Sequence, residues 1–285
     1  MSDSEWFTEA YENRTAFSVR YGRKLFDEKS SFQRVEIFET EPMGRVLVLD
    51  GCFMLTDKDH FVYHEMIAHP AMAVLPNPRK ALVIGGGDGG VVTELVKYPN
   101  LESVTLCEID PLVVSACREY FPAVSAGLAD PRVKVIHEDG AAYIAQFERE
   151  FDLVIVDSTD PVGPGTVLFE VPFYQAVRKS LTTNGAAVFQ TESPLFMESN
   201  FLLAVGNLTS AFGAEQIRPY LATIPCYPGG LWSFTFCSER RDPIREAPDA
   251  LDGRLLERLS YYNSEIHRGA FALPLFVQRL MGRGA

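Results

Sequence analysis

No stretch of the 285-residue sequence approaches the roughly 18 consecutive apolar residues that a membrane helix needs. Basic charge is also scarce. Lys and Arg number 26 against 38 Asp and Glu, a formal net charge of -12. This argues against a nucleic-acid binder, which needs a basic face for phosphates, and against docking on an anionic membrane. It suits a cationic ligand. Cysteine is sparse and odd in number, five in all, with no CxxC pair. That speaks against disulfide pairing and reads as reduced thiols in a cytoplasmic protein. Cys107, inside an apolar run, reads as core. The opening MSDSEWFTEAYENR has no apolar h-region and is not expected to act as a secretory signal. Neither an internal repeat nor a low-complexity segment is visible. What is present is ordinary for a soluble globular chain of one or two domains, with 47% hydrophobic and 22% charged residues.

Residues from about 15 to 56 contain short β-prone runs, AFSVRYG, KLFDEKS, FQRVEIFET and RVLVLDG. Gly22, Pro42 with Gly44, and Gly51 punctuate them. They predict a small antiparallel β domain over residues 1–60. FVYHEMIAHPAMAVL has helical spacing up to Pro76. From Lys80 the pattern alternates. ALVIG, SVTLCEI, VKVIHED, FDLVIVD and AAVFQTE read as strands, with helices between them. A helix at LLAVGNLTSAF and strands at QIRPYLA and WSFTFCS follow. The expectation is an α/β class, doubly wound Rossmann-like parallel sheet over residues 61–285.

Ligands of such sheets bind beyond the carboxyl ends of the strands. The first such end is IGGGDGG, with Asp88 inside the glycine loop. The second is CEIDP, with Glu108 and Asp110. The third is HEDG, with Asp139 and Gly140. The fourth is DSTDP, with Asp157 and Asp160. Each end delivers a carboxylate, and gathered like charges repel unless a cation sits among them. The bland reading of any one of these acids is a cap on the following helix. Asp110, just before Pro111, reads as such a cap and is left out of the site. Glu108 lies about 20 residues past the glycines, where a dinucleotide fold places its ribose-binding acid.

The glycine loop alone fits a nicotinamide, flavin or adenosyl-sulfonium enzyme. Asp88 discriminates among them. A phosphate about 4 Å from it would be repelled by roughly 4 kcal/mol at an effective dielectric near 20. The carboxylate of S-adenosylmethionine would suffer similarly, which speaks against a class I methyltransferase. A donor with adenosine, sulfonium and ammonium but no carboxylate would be attracted. Decarboxylated S-adenosylmethionine is that molecule.

GGGDGG, CEID, the DG after the third strand and the DSTDPVGPG loop together resemble the polyamine aminopropyltransferases, in particular the spermidine synthases. DHFVYHEM and YYNSEIHRGAFALP resemble further motifs of that family, so the likeness runs from about Ser31 to Leu275. It implies transfer of an aminopropyl group from decarboxylated S-adenosylmethionine to putrescine, giving spermidine and 5′-methylthioadenosine. The sulfonium is a co-substrate, and neither a cofactor nor a metal is implied. A homodimer or homotetramer is implied, and exposed strand edges of the β-rich region would contribute.

The resemblance implies that Gln33, Glu108, Asp139, Gly140 and Pro164 hold the nucleoside. Asp88, Asp157 and Asp160 would hold the amines, and Tyr63, His64 and Tyr227 would shape the acceptor channel. Asp157 would be the general base. An alkylammonium with a reference pKa near 10.4 is over three units from its neutral form at pH 7, so a proton acceptor is needed. The bland readings are that Tyr63 is core and Tyr227 a loop aromatic. His60 and His64 stand at metal-ligand spacing, but no third ligand is placed with them. A binding module that only stores polyamine is the non-enzymatic alternative.

Overall fold

The computed structural model describes residues 5–11, 15–160, 163–227 and 229–282. Two sheets organise it. The first is antiparallel, with strands in sequence order. It comprises β1 (Glu5–Tyr11), β2 (Thr15–Lys29), β3 (Arg34–Thr40), β4 (Gly44–Leu49) and β5 (Cys52–Thr56). Two elements here differ from the sequence reading. β1, within the acidic opening segment, was not expected as a strand. Gly22 does not separate two strands either: β2 runs through it, with register irregularities at Tyr21/Arg23 and Lys24/Phe26. Bulges let one long strand absorb a residue that breaks regular pairing.

Helix α1 (His60–Met72) follows, then β6 (Lys80–Gly85), α2 (Gly90–Leu95), β7 (Ser103–Cys107) and α3 (Pro111–Tyr120). Next come β8 (Val133–Ile136), α4 (Gly140–Ile144), β9 (Phe151–Asp157), α5 (Val171–Ser180), β10 (Leu181–Gln190) and α6 (Glu198–Phe212). β11 (Ile217–Thr223), β12 (Leu231–Cys237) and the short helices α7 (Gly253–Leu256), α8 (Ser264–Ala270) and α9 (Leu275–Leu280) complete the order. The second sheet has the order β11-β12-β10-β9-β6-β7-β8. Its last five members pair in parallel, but β12 pairs antiparallel with β10 and β11. The sheet is therefore mixed, not wholly parallel. No helix intervenes between β11 and β12, so they return as a hairpin.

Alternation along β6 and β9 shows why the sheet is covered on both faces. Ala81, Val83, Leu153 and Ile155 join one core layer, while Leu82, Ile84, Val154 and Val156 join the other. Such runs are apolar at every position because both faces are dry.

α1 is buried from Val62 to Met72, so it packs as a core helix. Pro70 lies inside it. The missing N–H leaves the Met66 carbonyl free, and Tyr220 Oη–H fills the vacancy at 2.8 Å. Truncating the fully buried Ile67 to Ala would cost about 2–5 kcal/mol. The first sheet rests on α3 through Val35, Ile37 and Leu47 against Val113, Ala116 and Cys117. This contact brings β1 to β5 over the carboxyl ends of the second sheet. Cys107 is buried, as expected.

Candidate active site

A cavity of about 210 Å³ lies between the two sheets. The four expected strand ends meet there: Asp88, Glu108, Asp139 with Gly140, and Asp157 with Asp160 all line it. So do Gln33, Tyr63, His64 and Tyr227. Among the described lining residues there is no lysine or arginine. Pro164 belongs to the 3-10 segment Gly163–Phe169, but its side chain lies outside the described residues, as does Pro161. Gly165, Val167 and Leu168 of that segment border the cavity, as a covering loop would.

The glycine loop is built around the acids. Gly85 and Gly86 have φ of +77° and +66°. A Cβ on Gly85 would meet the Asp157 carbonyl at 2.2 Å, and one on Gly86 would meet Asp157 Oδ2 at 2.7 Å. The turn thus admits Asp157 at the carboxyl end of β9. Tyr63 Oη donates to Asp157 Oδ1 at 2.6 Å. The Tyr63 ring is buried, as the core reading required, and its hydroxyl still serves the site. Burial, and then the neighbouring Asp88 charge, push Asp157 up to about 7.

Asp88 is also a local capping acid. Its Oδ1 accepts the Gly90 N–H at 2.6 Å and lies 3.3 Å from His64 Nε2. Burial opposes its ionised form, but His64 and the Gly90 amide outweigh burial and hold it below the usual carboxylate range. In return Asp88 overcomes the burial of His64 and raises it. The His64 ring occupies the space a Cβ of Gly90 would need, 2.1 Å from its Cε1. His64 Nδ1 is 3.4 Å from His60 Nδ1.

At the end of β7, Glu108 Oε1 accepts the Asp110 N–H at 2.9 Å, and burial pushes the carboxyl up to about 7. Asp110 caps α3 through the Leu112 N–H at 3.0 Å, as expected, and also receives Ser30 Oγ at 2.8 Å and Gln33 Nε2 at 3.1 Å. Asp110 thus holds the amide of Gln33, a residue that borders the cavity. Asp139 caps α4, accepting from Ala142 N at 2.9 Å while bordering the cavity. Gly140 is needed because a Cβ would sit 2.3 Å from Ile84 Cγ2. Tyr227 Oη donates to the Met54 carbonyl at 3.0 Å, and its ring lies 5.6 Å from Tyr63 and 4.7 Å from Trp232.

Three neighbours of the site were not foreseen. Glu9, from β1, lines the cavity and accepts the Phe53 N–H at 2.9 Å. Burial raises it, and the Asp160 charge adds to the rise. Glu192 stands behind Asp160 at the end of β10, fully buried, with a positive φ of 68°. Its Oε1 accepts from Gln190 Nε2 at 3.0 Å, and its carboxyl also meets Asn200 and the Asp160 carboxyl. Burial and then Asp160 push it up to about 8, and burial raises Asp160 as well. Trp232 Nε1 is buried without a partner beside Tyr227. Glu192 was legible as a fifth acidic strand end, AAVFQTE. Glu9 carried no signal, because its strand was not expected.

Residues 60–246 match the family described as the spermine/spermidine synthase domain, and residues 5–57 match the spermidine synthase tetramerisation domain. The chain belongs to the polyamine aminopropyltransferase family. A polyamine aminopropyltransferase of Moorella thermoacetica is 45% identical over 278 residues, covering 97% of this chain and 96% of its own. That of Thermotoga maritima is 40% identical over 279 residues, 97% of this chain and 94% of its own. A spermidine synthase crystallised with the transition-state analogue AdoDATO superposes with a TM-score of 0.92 at 40% identity, over 98% of this chain and 95% of that one. The spermidine synthase structure from Thermotoga maritima gives 0.91, also at 40% identity, with the same coverage. The fold and the aminopropyltransferase class implied by the sequence motifs stand. Among the described residues, no helix is long and apolar enough to cross a membrane.

Proposed function

We propose that this aminopropyltransferase is a spermidine synthase, transferring the aminopropyl group of decarboxylated S-adenosylmethionine to putrescine. The observation that carries this reading is a cavity lined by Asp88 acting on Asp157 and by Asp160 acting on Glu9, with Glu108 and Asp139 besides, and by no lysine or arginine among its described lining residues. A diammonium acceptor and a sulfonium donor supply the missing positive charge. Glu108, with Gln33, Asp139 and Gly140, holds the nucleoside. The vicinal ribose hydroxyls donate best to an ionised Glu108. Pro164 borders the nucleoside on the family's pattern.

Asp88, Asp157, Tyr63, His64 and Tyr227 surround the reacting amine. The second group, Glu9 and Asp160 with Glu192 behind, holds the distant ammonium. Asp157 accepts the proton that frees the amine lone pair. Its pKa near 7 suits a base working at neutral pH. The neutral amine then attacks the methylene carbon beside the sulfonium. The new C–N bond forms as the C–S bond breaks, and 5′-methylthioadenosine leaves with the electron pair. The sulfonium is a good leaving group, so no general acid is required. Proximity of the two substrates in one dry cavity supplies much of the remaining rate.

No cofactor or metal enters these steps. The enzyme works in the cytoplasm as a homodimer or homotetramer, and the match of residues 5–57 to the tetramerisation domain supports assembly through the first sheet. Incubation with the decarboxylated donor and a panel of amines, following 5′-methylthioadenosine, tests the reading. Putrescine should be the preferred acceptor. A stronger preference for spermidine or another amine would reassign the acceptor, and no product with any amine would favour a storage module.

A further inference from the structure

Asp59 touches none of the groups that face the substrates in the reading above, yet it joins the three segments that carry the acceptor wall. It is 5% exposed and stands immediately before α1. Oδ1 accepts from the Thr56 hydroxyl, at the end of β5, at 2.5 Å. Oδ2 accepts from the Cys226 N–H at 3.0 Å. Its own carbonyl accepts the Val62 N–H at 3.0 Å in the first turn of α1.

Each joined segment delivers a lining residue. Tyr63 lies one turn into α1. Tyr227 follows Cys226. Met54, whose carbonyl receives the Tyr227 hydroxyl, lies in β5. A buried carboxylate with only neutral donors is costly compared with a neutral side chain. What it supplies is two acceptors at one point, for two donors arriving from different directions. Asparagine offers only one. The Thr56 hydroxyl cannot easily compensate, because its oxygen already receives the N–H groups of Lys58 and Asp59 at 3.2 and 3.3 Å. The negative charge also favours the N-terminal end of α1.

We propose that Asp59 is a positioning residue for the amine acceptor, fixing Tyr227 against Tyr63 so that the aromatic wall of the channel keeps one shape. The proposal rests on the reading that these two tyrosines line the acceptor site. Steady-state constants for Asp59→Ala, Asp59→Asn, Tyr227→Ala and the double variant Asp59→Ala/Tyr227→Ala test it. Asp59→Ala should raise the putrescine KM about tenfold and leave the donor KM within about twofold. Asp59→Asn, keeping one acceptor, should fall between wild type and Asp59→Ala. In the Tyr227→Ala background, Asp59→Ala should add less than about twofold, since the wall it positions is gone.

Calorimetric binding of 5′-methylthioadenosine reports whether the fold and the donor pocket survive. If Asp59→Ala does not fold, Asp59→Asn in both backgrounds carries the same comparison. Equal rises in donor and acceptor KM, or full additivity with Tyr227→Ala, would overturn the proposal and leave Asp59 a general structural residue. An unchanged putrescine KM in Tyr227→Ala alone would instead overturn the acceptor-wall reading, and the proposal with it.

Discussion

Asp88 and Glu192 are both acids beyond the carboxyl ends of strands, but their surroundings differ. Asp88 has an imidazole and a backbone amide at its carboxylate and is held ionised. Glu192 faces another carboxyl, that of Asp160, and burial and then Asp160 push it up to about 8. The first group contains an imidazole, and in the second carboxyl faces carboxyl. The difference separates two tasks. In the proposed reaction the first group needs one fixed negative charge beside one proton acceptor, the pair that Asp88 and Asp157 would supply. The second would need only to receive an ammonium, so on that proposal its charge can stay latent until the ligand arrives.

Breaking the first group should have the largest effect. Asp157→Asn keeps size and polarity but loses the base, and kcat should fall about 100-fold or more, with the putrescine KM little changed. Steady-state kinetics at saturating donor checks this. Breaking the second group should act differently. Asp160→Asn should raise the putrescine KM about tenfold while kcat stays within a few-fold, because a charge-assisted contact to the distant ammonium is lost. A kcat loss equal to that of Asp157→Asn would erase the distinction between the groups. Glu108→Gln should touch neither. It should raise the donor KM several-fold and spare the putrescine KM, since an ionised acid accepts the ribose hydroxyls best. A defect confined to putrescine would mean the wrong strand end was assigned.

The smallest expected effect is on stability. Asp157 and Glu108 are held near 7 and Glu192 near 8, against about 4 when unfolded. Between those values the folded chain holds more protons than the unfolded one, so these groups make stability fall as pH rises from about 4 to 8. Putrescine should flatten that fall by favouring the ionised second group. Melting curves from pH 5 to 8, with and without putrescine, measure it. A ligand effect that does not grow with pH would count against the latent charge.

The parallel core and its acidic strand ends were legible because apolar runs, breakers and glycines stand close together in the chain. Asp88, Asp157 and Glu108 followed from the rule that such sheets bind at their carboxyl ends. The first sheet was less readable. β1 reads EWFTEAY, and its antiparallel pairing with the neighbouring β2, from Glu5 with Tyr21 to Tyr11 with Thr15, rather than its own pattern makes it a strand. Glu9 was hidden with it. The pairing of His64 with Asp88 depends on α1 lying beside the glycine loop, and the bracing of Asp59 depends on a loop some 167 residues away. Neither is a local property of the sequence. The antiparallel β12 was foreseen as a strand but not in its direction, since a hairpin return looks like any two β-prone runs.

The division of labour between the two groups is tested most directly by the pH dependence of kcat at saturating substrates, for wild type, Asp157→Asn and Asp160→Asn together. The wild-type rate should rise with pH through a group well below the pKa of the amine itself. Asp160→Asn should keep that profile. Asp157→Asn should lose it and recover partly at high pH, where more of the amine is already neutral. Near wild-type kcat for Asp157→Asn at neutral pH, with the acid limb intact, would contradict the assignment of Asp157 as the base.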